Sequence, residues 1–156
     1  MNEIGLEEKK VKKLATSLNE LLANYHIHYQ RCRGFHWNVK GTNFFELHAR
    51  FELYYTDAIN RIDLIAERIL TLGQPPVSNF SDYLKTSQLK EMEYEIKDME
   101  MVTALIGDFQ TLIDLERGII NGGDDMHDDA TVDMMTEFIA FQEKIIWMLK
   151  SFLSKR

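Results

Sequence analysis

Five histidines, 25 acidic residues and one cysteine are the groups in this 156-residue chain that could hold a metal or move a proton. Imidazole and carboxylate together suit iron, manganese or zinc, whereas a calcium or magnesium site would be built from oxygen alone. The densest collection runs from Phe35 to Pro75, FHWNVKGTNFFELHARFELYYTDAINRIDLIAERILTLGQP. It contains His36 and His48, Glu52 one helical turn beyond His48, and the acid pair Asp63 and Glu67. Taken singly, a histidine on an apolar face or an acid pair at i,i+4 serves equally well as a packed or solvated residue. The spacing of all of them together is what points to a metal.

Residues 43–72 read as one uninterrupted helix. Asn43 followed by Glu46 has the form of a capping box, no Pro or Gly intervenes, and Gly73 then Pro75 stop it. His48 with Glu52, and Asp63 with Glu67, are each four residues apart and share a face. His48 and Asp63 are 15 residues apart, which is roughly 22 Å of helix at about 1.5 Å per residue, so one chain cannot close both pairs on one ion. His36 can join His48, because the turn Asn38–Thr42 folds the preceding helix back. Each chain then carries two half-sites, His36/His48/Glu52 and Asp63/Glu67. Antiparallel contact of two such helices about a two-fold axis near Tyr55 and Thr56 places the first half-site of one copy opposite the second of the other. That geometry predicts two equivalent, shared metal sites per dimer.

The string HWNVKGxxFFxLHxxFExxY followed by DxIAERxLxLGxxP resembles the Dps family of mini-ferritins (DNA-binding proteins from starved cells), densely for about forty residues and in helix order along most of the chain. The resemblance implies a ferroxidase centre of His36 and His48 from one subunit with Asp63 and Glu67 from its neighbour. Glu52 falls at a further acidic position of the family and Trp37 at the tryptophan beside the centre. It also implies a homododecamer of tetrahedral symmetry that oxidises Fe²⁺ with hydrogen peroxide, stores the Fe³⁺ as mineral and thereby protects DNA and protein. The implied metal is iron, as a dinuclear pair or with a weakly occupied second position, and zinc or manganese would be substitutes. The acidic run DDMHDDATVDMM resembles the family's DDxTxDM, which lines three-fold pores for iron, and gives Asp124, Asp129 and Asp133 as pore residues; helix capping is the alternative for one or two of these acids. Ala49 stands where relatives often carry an acid that nucleates mineral. No histidine has a Glu three residues before it, which counts against an intrasubunit di-iron centre.

The elements that must position these residues follow from periodicity. An all-α, ferritin-like four-helix bundle in a single domain, 1–156, is expected, with helices at about 6–36, 43–72, 88–121 and 129–153. Residues 1–6 read as a frayed arm. The stretch GQPPVSNFSDYLKTSQ reads as one long crossover with a short helix at about 78–84. Met92, Ile96, Met99, Thr103, Ile106, Phe109, Ile113 and Ile120 form the expected inward line of the third long helix, which Gly122–Gly123 should end. Cys32 reads as a buried apolar residue rather than a ligand or redox thiol, His26 and His28 as histidines without function, and His127 has no assigned place.

Hydrophobic residues make up 45% of the chain and net charge is −7. With a single cysteine, no apolar leader and no membrane-length apolar run, a soluble cytoplasmic protein is expected. The lysines at 9, 10, 12 and 13 are diluted by Glu3, Glu7 and Glu8. Direct binding to DNA, which phosphate neutralisation drives, is therefore expected to be weak. A nucleoid-binding protein with little ferroxidase activity is the alternative function.

Overall fold

The computed structural model describes residues 1–155 and is all-α. Its elements are α1 (Glu8–Asn38), α2 (Phe44–Thr71), the short α3 (Phe80–Thr86), α4 (Asp98–Asp124) and α5 (Asp129–Leu153). Pairing of side chains fixes the topology. His36 meets His48 and Tyr29 meets Tyr55, so α1 and α2 are antiparallel. Glu116 meets Gln142, and Gly123 further along α4 lies against Val132 nearer the start of α5, so α4 and α5 are antiparallel too. Tyr25–Glu116 and His28–Asp108 join α1 to α4, while Arg61–Glu137 and Arg68–Asp128 join α2 to α5. The result is two helical hairpins joined by the crossover that carries α3, as expected. Leu18, Leu21, Phe35, Phe51, Ile65, Leu105, Leu112 and Phe138 lie between them, essentially without solvent contact.

Several boundaries differ from the sequence expectation. Helix α4 begins at Asp98 rather than near Gln88. Asn24 of α1 accepts from the Ser87 hydroxyl and the Leu89 amide at 3.0 Å each, and the Arg31 guanidinium donates to the Lys90 carbonyl. These bonds hold the chain out of a helix where its composition would allow one. Met92 is consequently exposed, Thr103 also faces solvent, and the buried line is Met101, Val102, Leu105, Phe109, Leu112 and Ile119. Gly122 and Gly123 lie inside the last turn of α4. A Cβ on Gly123 would stand 2.8 Å from the Val132 side chain, so glycine there permits close approach of α5. Asn43 forms no capping box, its amide reaching Asp98 at 3.4 Å instead. The arm is pinned rather than frayed: Asn2 accepts from the Leu6 amide at 2.8 Å and donates to the Leu72 carbonyl at 3.4 Å. Gly73, at φ 79°, ends α2 as foreseen, with its amide on Leu70 and the Gln74 amide on Ile69.

Asp128 starts α5. It is buried, accepts from the Thr131 amide at 3.1 Å and hydroxyl at 2.5 Å, and takes Arg68 from α2 at 2.7 Å. Asp128→Ala removes a helix cap and leaves a half-buried guanidinium unpaired, so the urea midpoint should fall by the equivalent of about 2–4 kcal/mol. Asp128→Asn, which keeps the cap, should cost less. Among the described residues no helix is long and apolar enough to cross a membrane.

Candidate metal centre

His36 lies in the last turn of α1 and His48 in the second turn of α2. The turn between them stacks the two imidazoles, with centroids 3.8 Å apart and planes 11° from parallel. Each ring is locked by the other residue's backbone. The Nδ1 of His36 lies 2.6 Å from the His48 carbonyl oxygen, and the Nδ1 of His48 lies 2.7 Å from the His36 carbonyl oxygen. A carbonyl oxygen only accepts, so each Nδ1 carries the proton and each Nε2 keeps its lone pair. The His36 carbonyl belongs to the end of a helix, where no backbone amide of the next turn is available. Phe44 extends the stack, 4.9 Å from His48, and Tyr55 meets His36 edge-on at 5.3 Å. Two imidazoles of fixed tautomer with the same nitrogen free are the donor chemistry of a metal site.

Glu52 is exposed and accepts from the Tyr55 hydroxyl at 3.3 Å. Asp63 and Glu67 sit further along α2, both exposed and without an ion-pair partner among the described residues. Leu53, Ile59, Leu64 and Leu70 are exposed on the same helix. Within one chain, no three His, Cys, Asp or Glu residues among those described come close enough to hold a metal. Trp37 is exposed, with the Arg33 guanidinium carbon 5.0 Å from its ring centroid.

Residues 15–156 match the ferritin-like domain family. The "DNA protection during starvation protein" of Porphyromonas gingivalis is 38% identical over 151 residues, 97% of this chain and 95% of that protein. The crystal structure of the Dps protein from Vibrio cholerae superposes with a TM-score of 0.96 at 44% identity, covering 99% of this chain and 97% of that one. The chain belongs to the Dps family. A Dps protein from Bacillus brevis also superposes, at TM-score 0.91 and 36% identity over 94% of this chain and 98% of that one.

At the α4–α5 turn this Dps-family chain divides its acids by role. Asp125 pairs with Lys10 at 3.1 Å and Asp128 with Arg68. Asp124, Asp129 and Asp133 are exposed and have no ion-pair partner among the described residues. His127 is exposed and takes φ 58°, the left-handed residue of the turn.

Two buried polar networks were not visible in the sequence. His28 is buried, with Nδ1 3.1 Å from Asp108 and Nε2 3.6 Å from the Cys32 sulfur, and Arg31 shares Asp108. Burial alone would push the His28 imidazole down, but the Cys32 sulfur and the Asp108 carboxylate outweigh it and raise it to about 10. Cys32 is buried, as expected, although it packs on an imidazole. In the second network the Tyr25 hydroxyl donates to Glu116 at 2.8 Å, and the Gln142 amide reaches both. Burial lifts Glu116 to about 8. No sequence signal short of a pairing across helices would have revealed either. His26 stacks on Tyr83 at 3.9 Å.

Proposed function

We propose that the chain is a ferroxidase and iron store, cytoplasmic and dodecameric, with centres shared between subunits. The observation that carries this reading is the reciprocal lock of His36 and His48, which leaves the Nε2 lone pairs of two stacked rings free, with no three ligands close enough to hold a metal among the described residues of one chain. Asp63 and Glu67 of the partner subunit complete the set, and Glu52 adds a carboxylate at the margin. Fe²⁺ is the substrate. Two Fe²⁺ each give up one electron, the O–O bond of hydrogen peroxide breaks as it takes both, and with two protons it leaves as water. The neutral imidazoles tolerate iron in both oxidation states, and the carboxylates favour the ferric product. Because iron and peroxide are consumed together, DNA is spared hydroxyl radicals without being touched. A net charge of −7 disfavours contact with phosphate. Asp124, Asp129 and Asp133 line the iron inlet.

Loading the metal-free protein with Fe²⁺ under anaerobic conditions and adding peroxide tests the reading. Ferric absorbance should rise at once and consume two Fe²⁺ per peroxide; a purely structural bundle would show no rise above the protein-free control. The inlet has its own signature. Asp129→Asn with Asp133→Asn should slow oxidation several-fold at low salt and little at high salt, because a focused surface field is screened by ions. Equal slowing at all ionic strengths would remove these residues from the inlet.

A further inference from the structure

Phe44 opens α2 and stands four residues before His48, on the same face of the helix. Its ring stacks on His48 with centroids 4.9 Å apart and planes 20° from parallel. His36 is the other parallel neighbour of His48, at 3.8 Å, and two such neighbours cannot share one face of a ring. His48 is therefore sandwiched. The two imidazoles differ in what else restrains them. His36 is buried, and Tyr55 meets it edge-on. His48 is half-exposed, with its Nδ1 bond to the His36 carbonyl as its polar anchor. The terminal torsion of a histidine is broad on its own, and a carbonyl accepts over a wide range of directions. One hydrogen bond thus fixes where Nδ1 points and leaves the ring free to swing about it. Phe44 removes that freedom. It is itself held, because its amide donates to the Gly41 carbonyl at 3.1 Å and its ring packs against the core.

We propose that Phe44 is a positioning residue for the shared centre, holding the His48 ring in the plane from which its Nε2 serves a metal together with that of His36. The inference rests on the shared centre proposed above. Phe44 has no group that binds a metal. It acts through His48, by ruling out other ring orientations before an ion arrives and by covering the ring with apolar surface, so that water does not compete for the His36 carbonyl. Orienting a ligand in advance strengthens binding without adding a bond to the metal. The role calls for a flat aromatic side chain. An aliphatic one of similar volume fills the space and leaves the ring torsion open.

Calorimetric titration of the metal-free assembly with Co²⁺, a redox-stable divalent probe, tests this. Binding at the centre is isolated by subtracting the isotherm of His36→Ala. Phe44→Leu should weaken it by about tenfold, the lower end of what losing an outer support of a ligand costs, with the number of ions unchanged. Phe44→Met, also without a plane, should do the same if the leucine variant assembles poorly. Phe44→Tyr keeps the ring and should bind as the unaltered protein. Nitrogen NMR of the histidine-labelled, metal-free assembly gives a second readout, at about pH 8.5, above the ordinary imidazole range. His48 should carry its proton on Nδ1 in the unaltered protein and in Phe44→Tyr, and divide it between the two nitrogens in the aliphatic variants. Unchanged affinity in both aliphatic variants would overturn the proposal, as would a His48 tautomer in them as pure as in the unaltered protein. Equal weakening in Phe44→Tyr would also overturn it, because the plane of the ring would then not matter. A His36→Ala isotherm identical to that of the unaltered protein would instead remove the centre itself, and the proposal with it.

Discussion

Co-assembling His36→Ala with Asp63→Ala protein is expected to restore about one quarter of the rapid iron oxidation that each variant lacks alone. The two half-sites lie at separate levels of α2, and no described cluster in one chain holds three ligands. In an assembly of either variant alone, every shared centre is missing one group. In a mixed dimer, His36 of the Asp63→Ala chain faces Asp63 of the His36→Ala chain, so one of its two centres is whole and the other lacks both groups. With random pairing about half the dimers are mixed, and half of their centres are intact. Each variant alone should fall by about a hundredfold or more, the usual scale for losing a group on which an electron-transfer geometry depends. The measurement is the initial rate of ferric absorbance after unfolding, mixing and reassembly, against each variant treated identically. A mixture no faster than its components would mean that His36 and Asp63 do not meet across a dimer.

The two half-sites were legible in the sequence because they rest on short-range regularities. The i,i+4 pairs, the Gly73 stop and the return turn after Asn38 are local, and the structure reproduces the helices they define. What escaped was decided across the bundle. Residues 88–97 have a helix-compatible composition, yet Asn24 and Arg31 capture their backbone from α1, more than fifty positions away. His28 looks idle in the sequence because its partner Asp108 stands 80 positions further on. Asn43 and Glu46 have the form of a capping box, and a distant acid on α4, Asp98, takes the side chain instead. The imidazole tautomers lay equally out of reach, since they depend on which carbonyls the hairpin turns toward the rings. Asp63 and Glu67 were legible as a pair, and their offset from His48 along one helix already assigned them to a second copy; within the chain both are exposed.

The buried networks make stability fall as pH rises, and Glu116→Gln should flatten that fall. Glu116 is completely buried, with a carboxyl lifted by burial from 4.5 to about 8. A folded-state value above the unfolded one means that the native chain holds a proton the unfolded chain has released. The stabilisation is whole below about 4.5, declines as pH rises from there, and is gone above about 8. His28 acts in the same direction over a higher window, from 6.5 to about 10, so the slope should be steepest where the two overlap. The hydrogen bonds agree with a protonated Glu116. Its Oε2 accepts from Tyr25 and Gln142, while its Oε1 has no partner and neither does the Gln142 oxygen. A proton on Oε1 turns one of two orphaned acceptors into a donor. Ionisation instead leaves a bare carboxylate oxygen in the core, which is costly there. Glu116→Gln keeps the shape and carries a permanent donor. At pH 7.5 it should gain stability, with a ceiling on the order of 4 kcal/mol, and near pH 4.5 it should match the unaltered protein. The slope left in the variant between pH 6.5 and 10 belongs to His28. Urea midpoints across pH at one protein concentration, held constant because assembly contributes, provide the measurement. Parallel curves for the two proteins would show that Glu116 ionises in the folded core as readily as in the unfolded chain.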